Sequence, residues 1–150
     1  MLETELRKHR CCFTGHRPEK LTIPEKRLAG LLEAEIIRAI DSGHTTFITG
    51  MAKGVDIVAA EIVLRLKLIC ALPYPGFGQH WGGGWTERSR QVLVQADLER
   101  TICPGFSYGA YQARFVLGKV LAKLVCFRLK IFQKCEVYFL RTIHQTVLIR

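Results

Sequence analysis

Short apolar runs alternate along this chain with longer stretches in which apolar residues return every three or four positions. The first run spans residues 10–15 around Cys11-Cys12-Phe13. From Glu25 to Asp41, Leu28, Leu31, Leu32, Ile36 and Ile40 then recur with charges between them. A short apolar run predicts a buried strand, and the three-to-four spacing predicts an amphipathic helix. Pro24 fits the start of that helix and Ser42-Gly43 its end. The alternation then repeats. Thr45–Thr49 predicts a strand and Val55–Leu66 a helix rich in Ala and aliphatics. Lys67–Pro73 predicts a third strand, Trp85–Ala96 a third helix and Leu98–Cys103 a fourth strand, with a further helix beginning near Ala110. Strands alternating with helices imply βαβ units, an α/β class and a mainly parallel sheet.

The pattern changes after Arg114. Phe115 to Phe127 is apolar with two lysines, and reads as the rest of a helix running into a strand. Glu136–Ile143 and Thr146–Ile149 read as strands, yet no glycine or proline separates them. Charge changes at the same place. Residues 115–150 hold seven basic residues against one acid, Glu136, and so carry +6 of the net +9. A basic excess suits nucleic acid or an anionic surface. Here it belongs mostly to the tail and says little about the rest of the chain.

With 150 residues, about half of them hydrophobic, the chain fits a single domain with a substantial core. A bilayer-spanning helix needs about 20 apolar residues, and no uncharged run is that long. Met1 to Lys8 contains no apolar secretory core. A cytoplasmic protein with no membrane partner is the expectation. Of the six cysteines, Cys11, Cys12, Cys70, Cys103, Cys126 and Cys135, most lie in apolar runs and none forms a Cys-x-x-Cys pair. They read as reduced, buried small hydrophobes, and no metal is expected.

Two glycine turns carry the candidate chemistry. One is Thr14-Gly15-His16-Arg17-Pro18, the other Thr49-Gly50-Met51-Ala52-Lys53-Gly54-Val55-Asp56. Each follows a predicted strand, where ligands of open α/β sheets bind. Small residues there let backbone N–H groups and a helix N-terminus approach a phosphate. Arg17 suits bidentate phosphate binding, and a turn with merely solvated charges fits the same residues. The second turn lacks the Gly-Lys-Ser/Thr ending of a P-loop, so Lys53 takes no such role. Asp56 fits either a ribose contact or a helix cap, of which the cap is preferred. Tyr74, Phe77, Trp81 and Trp85 suit base stacking or, preferably, covering the core edge. Tyr108, Tyr111 and Arg114 are placed to close a pocket. No Ser-His-Asp, Cys-His or paired-carboxylate arrangement is legible.

Together, Cys12-Phe13-Thr14-Gly15-His16-Arg17-Pro18-Glu19-Lys20-Leu21, Phe47 to Asp56 with Ala59-Ala60-Glu61, and Ala96-Asp97 running to Tyr108 and Arg114 resemble the SLOG superfamily. That group includes the Smf/DprA and LOG proteins, and the likeness is to its small bacterial and phage YspA/YoqJ-like branch. It covers roughly residues 8–114. It implies a Rossmann-like three-layer domain that binds or senses a nucleotide or nucleotide-derived ligand. By position, Thr14, Gly15, His16, Arg17, Gly50, Met51, Ala52 and Gly54 would face that ligand, with Gly105 and Arg114 beside them. No catalytic residue and no particular cofactor follow.

The departures are also specific. The Pro-Gly-Gly-x-Gly-Thr-x-x-Glu segment of LOG-type phosphoribohydrolases is replaced here by Pro104-Gly105-Phe106-Ser107-Tyr108-Gly109-Ala110-Tyr111-Gln112, without the glutamate. The branch's Arg-Asn pair, Met-Val-Asp segment and Gly-Gly-Thr loop are also missing. A shifted reading frame or recombined end after about Arg114 explains that break, as does a divergent but genuine C-terminus. Residues 115–150 would then complete the sheet with substitute strands or pack poorly. A nucleotide-processing hydrolase, a Smf/DprA-like protein on nucleic acid and an inactive remnant are the alternative functional readings. Oligomerisation is compatible with all of them.

Overall fold

The computed structural model describes residues 3–113, 125–131 and 135–141, with side chains described from residue 5 to 113. The elements run α1 (Glu3–Lys8), β1 (Arg10–Thr14), a 3-10 turn (Pro18–Lys20), α2 (Glu25–Asp41), β2 (Thr46–Thr49), α3 (Val55–Ile62), β3 (Lys67–Leu72), α4 (Trp85–Gln95) and β4 (Leu98–Thr101). Another helix starts at residue 108, and the strands β5 (Val125–Ile131) and β6 (Cys135–Arg141) follow. The sheet order is β4-β3-β2-β1-β6-β5. Neighbours from β1 to β4 are parallel, with Cys12 beside Ile48, Ile48 beside Ile69 and Ile69 beside Leu98. β6 runs antiparallel to β1, Phe13 opposite Phe139, and β5 pairs antiparallel with β6.

Each strand sends alternate residues to opposite faces. One face presents Cys11, Phe13, Phe47, Leu68, Cys70 and Leu72 to the helices. The other presents Cys12, Ile48, Ile69 and Ala71. Both sets are buried, which is why the strands read as continuous apolar runs and not as alternating ones. Phe13 and Phe47 stack across β1 and β2 with ring centres 5.6 Å apart. α2 buries Leu28, Leu32 and Ile36, as its periodicity predicts. Each such side chain contributes about 1.5–3 kcal/mol on leaving water. α3 packs between α2 and α4, and every residue from Val55 to Ala60 is buried. This is an α/β, Rossmann-like fold with a mainly parallel sheet.

Helix α1 and the 3-10 turn at Pro18–Lys20 are not expected from the residue pattern, and the other differences from expectation lie at element ends. α3 stops at Ile62, short of Leu66. The Val63 N–H bonds back to Ala59 and Ala60, the Leu66 N–H bonds to the Val63 carbonyl, and this turn delivers the chain to β3. β4 ends at Thr101, although Ile102 and Cys103 still donate to the Leu72 and Pro73 carbonyls. The tail strands begin at Val125 and Cys135, and the expected strand Thr146–Ile149 lies outside the described residues. No helix of the described residues is long and apolar enough to cross a membrane.

Candidate functional site

The parallel order sets the two glycine turns side by side at the carboxyl ends of β1 and β2. Their contact is closer than the sequence indicates. Gly15 packs against α3 so tightly that an added Cβ would stand 2.6 Å from Val55 Cβ. Gly54 has φ +101°, and a Cβ there would meet the His16 carbonyl oxygen at 2.5 Å. Only glycine is free of strain in that conformation. The Val55 N–H, the first of α3, donates to that same His16 carbonyl at 3.3 Å. The first turn therefore lies directly on the start of α3.

Asp56 fixes the arrangement. Its carboxylate is buried and accepts from the backbone of both turns, the Gly15 N–H at 3.2 Å and the Ala52 N–H at 3.4 Å. Its own carbonyl accepts from Thr49 Oγ1 at 3.0 Å, and that hydroxyl accepts from the Met51 N–H at 3.2 Å. The cap reading of Asp56 is therefore corrected. The residue flanking the helix is Gly54, which makes no side-chain cap bond, and Asp56 stands inside the first turn of α3. From there its two oxygens reach two loops that the sequence separates by 41 and 4 residues. Positive φ at Met51, 57°, turns the second loop back toward that carboxylate.

The predicted ligand-facing residues fall into two groups. Thr14, Gly15 and His16 are half-buried and Arg17 is exposed, so the first turn meets solvent. Gly50 is half-buried, but Met51, Ala52 and Gly54 are buried, and they form the support on which the first turn rests. Gly105 is exposed in the loop after β4, with open space around its Cβ position. Arg114 lies outside the described residues. Lys53 is tied to Glu19 by an ion pair. That bond, more than any other influence, holds the Glu19 carboxyl below its ordinary range.

An aromatic group gathers on the segments that follow β3 and β4. Tyr74 meets Phe77, Phe106 and Tyr111 edge to face at 5.5, 5.3 and 6.0 Å. Its hydroxyl is 3.2 Å from that of Tyr111. That hydrogen bond raises the Tyr74 pKa, burial adds to the rise, and the nearby Arg17 charge opposes it. Arg17 thus lies within electrostatic range of Tyr74 in the loop after β3. Tyr74, Phe77, Trp81 and Trp85 do pack on the core edge. Phe106 and Tyr108, by contrast, are 63% and 87% exposed. Phe106 was not among the sequence candidates, and only its place on a loop after a strand could have suggested it.

Among the described residues, Cys11, Cys12, Cys70 and Cys103 are free thiols, and no group of three His, Cys, Asp or Glu side chains is placed to hold a metal ion. Compared with known proteins, the chain matches no family model and no curated protein.

Proposed function

We propose that this protein binds a nucleotide or nucleotide-derived ligand at the turn after β1, buttressed by the turn after β2. The observation that carries this reading is the Asp56 tie between the two turns. It fixes His16 and Arg17 at the carboxyl ends of adjacent parallel strands, where α/β folds bind ligands. With the Gly15 and Ala52 N–H groups engaged by Asp56 and Lys53 engaged by Glu19, the anion falls to the Arg17 guanidinium and the His16 ring. The exposed rings of Phe106 and Tyr108 offer a stacking surface for a base. This shifts the phosphate away from the Gly50–Gly54 backbone, the place expected from the turn pattern alone.

Thermal unfolding with adenosine and guanosine mono- and diphosphates tests the reading. A ligand at a hundredfold excess over its Kd stabilises by about 2.7 kcal/mol. For a chain of this size that raises Tm by roughly 5–10 °C. Arg17→Met, at an exposed position, should keep the unliganded Tm and lose most of the shift. No shift with any of the four nucleotides, or an undiminished shift in Arg17→Met, would overturn the assignment. Product release from a nucleotide, lost in His16→Ala, would turn binding into hydrolysis.

A further inference from the structure

A hollow lies apart from the glycine turns and shares no lining residue with them. It has a volume of about 230 Å³ and sits between the loop after β3, α4 and the edge strand β4. Leu72, Phe77 and Leu93 give it apolar walls. Ser89, Arg90 and Glu99 give it polar ones.

Three features distinguish it from a packing gap. Ser89 lines it, and its hydroxyl makes no hydrogen bond among the described residues, so it is open to an occupant of the hollow. Glu99, on the neighbouring wall, likewise has no ion pair or hydrogen bond among the described residues. Arg90 is paired, its Nε and a terminal nitrogen donating to Glu87 at 3.0 and 2.9 Å. The charged group on the lining that is left without a partner among the described residues is therefore the Glu99 carboxylate. The surrounding loop is also held in place. The Thr86 hydroxyl accepts from the Trp81 N–H at 2.9 Å and donates to the Gly78 carbonyl at 2.7 Å.

We propose that this hollow is a binding site for a small organic cation, an ammonium carried on a short apolar body. The ammonium meets the Glu99 carboxylate, the Ser89 hydroxyl bonds the same polar end, and the apolar body lies among Leu72, Phe77 and Leu93. The volume equals that of roughly eight waters in the liquid. It is below the range of pockets for drug-sized ligands, which limits the occupant to a fragment and excludes a whole nucleotide.

The test is an amide-resolved NMR titration of the full chain with phenethylamine, 2-phenylethanol and 3-phenylpropionate. Phenethylamine should give saturable shifts centred on Phe77, Ser89 and Glu99, with an affinity at least tenfold above that of the alcohol and the acid. Glu99→Gln, at an exposed position, should leave the fold intact and weaken the amine at least tenfold. Arg17→Met should leave it unchanged, which separates this site from the nucleotide reading. No saturable shift, equal binding of the alcohol, preference for the acid through Arg90, or unchanged affinity in Glu99→Gln would each overturn the proposal.

Discussion

Replacing Asp56 by alanine removes the acceptor shared by the two glycine turns. Two backbone donors lose a charged partner, Gly15 N–H at 3.2 Å and Ala52 N–H at 3.4 Å. Hydrogen bonds to charged groups contribute about 1.5–3 kcal/mol each. Both distances exceed the 2.7–2.9 Å usual for charge-assisted bonds, so the low end of that range applies, about 3 kcal/mol for the pair. Removing a buried carboxylate returns part of its desolvation cost. The expected net loss is about 2–3 kcal/mol, or roughly 4–12 °C in Tm. Asp56→Asn keeps the shape and one acceptor but turns an NH₂ toward the other N–H, for an expected loss of about 1–2 kcal/mol. Urea denaturation measures both values. Amide exchange locates them, since Gly15 and Ala52 should lose protection ahead of the β1 and β2 amides. A loss below about 0.5 kcal/mol in Asp56→Ala, or wild-type exchange at Gly15 and Ala52, would refute the idea that Asp56 ties the turns together.

Gly54→Ala combines a φ of +101° with a Cβ 2.5 Å from the His16 carbonyl oxygen, and is expected to cost about 3 kcal/mol or more by denaturant unfolding. Burial, with the Glu99 charge adding, pushes the Cys70 thiol from its ordinary value near 9 up to about 12. The folded state thus favours the neutral thiol, and its contribution is complete below pH 9 and lost as pH rises toward 12. Stability should fall about 1.4 kcal/mol further by pH 10 in the wild type than in Cys70→Ala. In the folded protein at pH 8, iodoacetamide should label the half-buried Cys103 before Cys70. Arg88 donates to both oxygens of Glu61 at 2.7 and 2.6 Å, reaches Glu25 at 3.0 Å and lies 4.3 Å from the Trp85 ring. Arg88→Met should cost about 1–2 kcal/mol, and the loss should shrink in high salt, because the group keeps access to solvent; both are read from urea unfolding at two ionic strengths.

The repeating pattern of apolar runs and helical stripes was sufficient to place β1 to β4 and α2 to α4 and to make the sheet mainly parallel. Burial on both faces of a strand and on one face of a helix is written into residue spacing. α2 runs from Glu25 to Asp41 in sequence and structure alike because Pro24 starts it, Ser42-Gly43 ends it and Leu28, Leu32 and Ile36 hold it down. The position of the two turns at strand ends was equally legible, since glycine marks where backbone approaches backbone. The burial of the second turn was not: the resemblance turns Met51, Ala52 and Gly54 toward a ligand, and the structure buries them at the start of α3, which packs between α2 and α4. Asp56 read as a helix cap because spacing along the chain reports only local partners. Its bond to Gly15 crosses 41 residues and exists only once β1 and β2 lie side by side. The hollow lined by Ser89 and Glu99 has no sequence signal at all, since neither residue belongs to a motif and the space between them is made by the distance from α4 to β4. Sequence by itself determined the elements, whose burial pattern is local and periodic. Tertiary structure alone decided which polar groups meet, because those contacts join residues far apart along the chain and depend on the packing of whole elements.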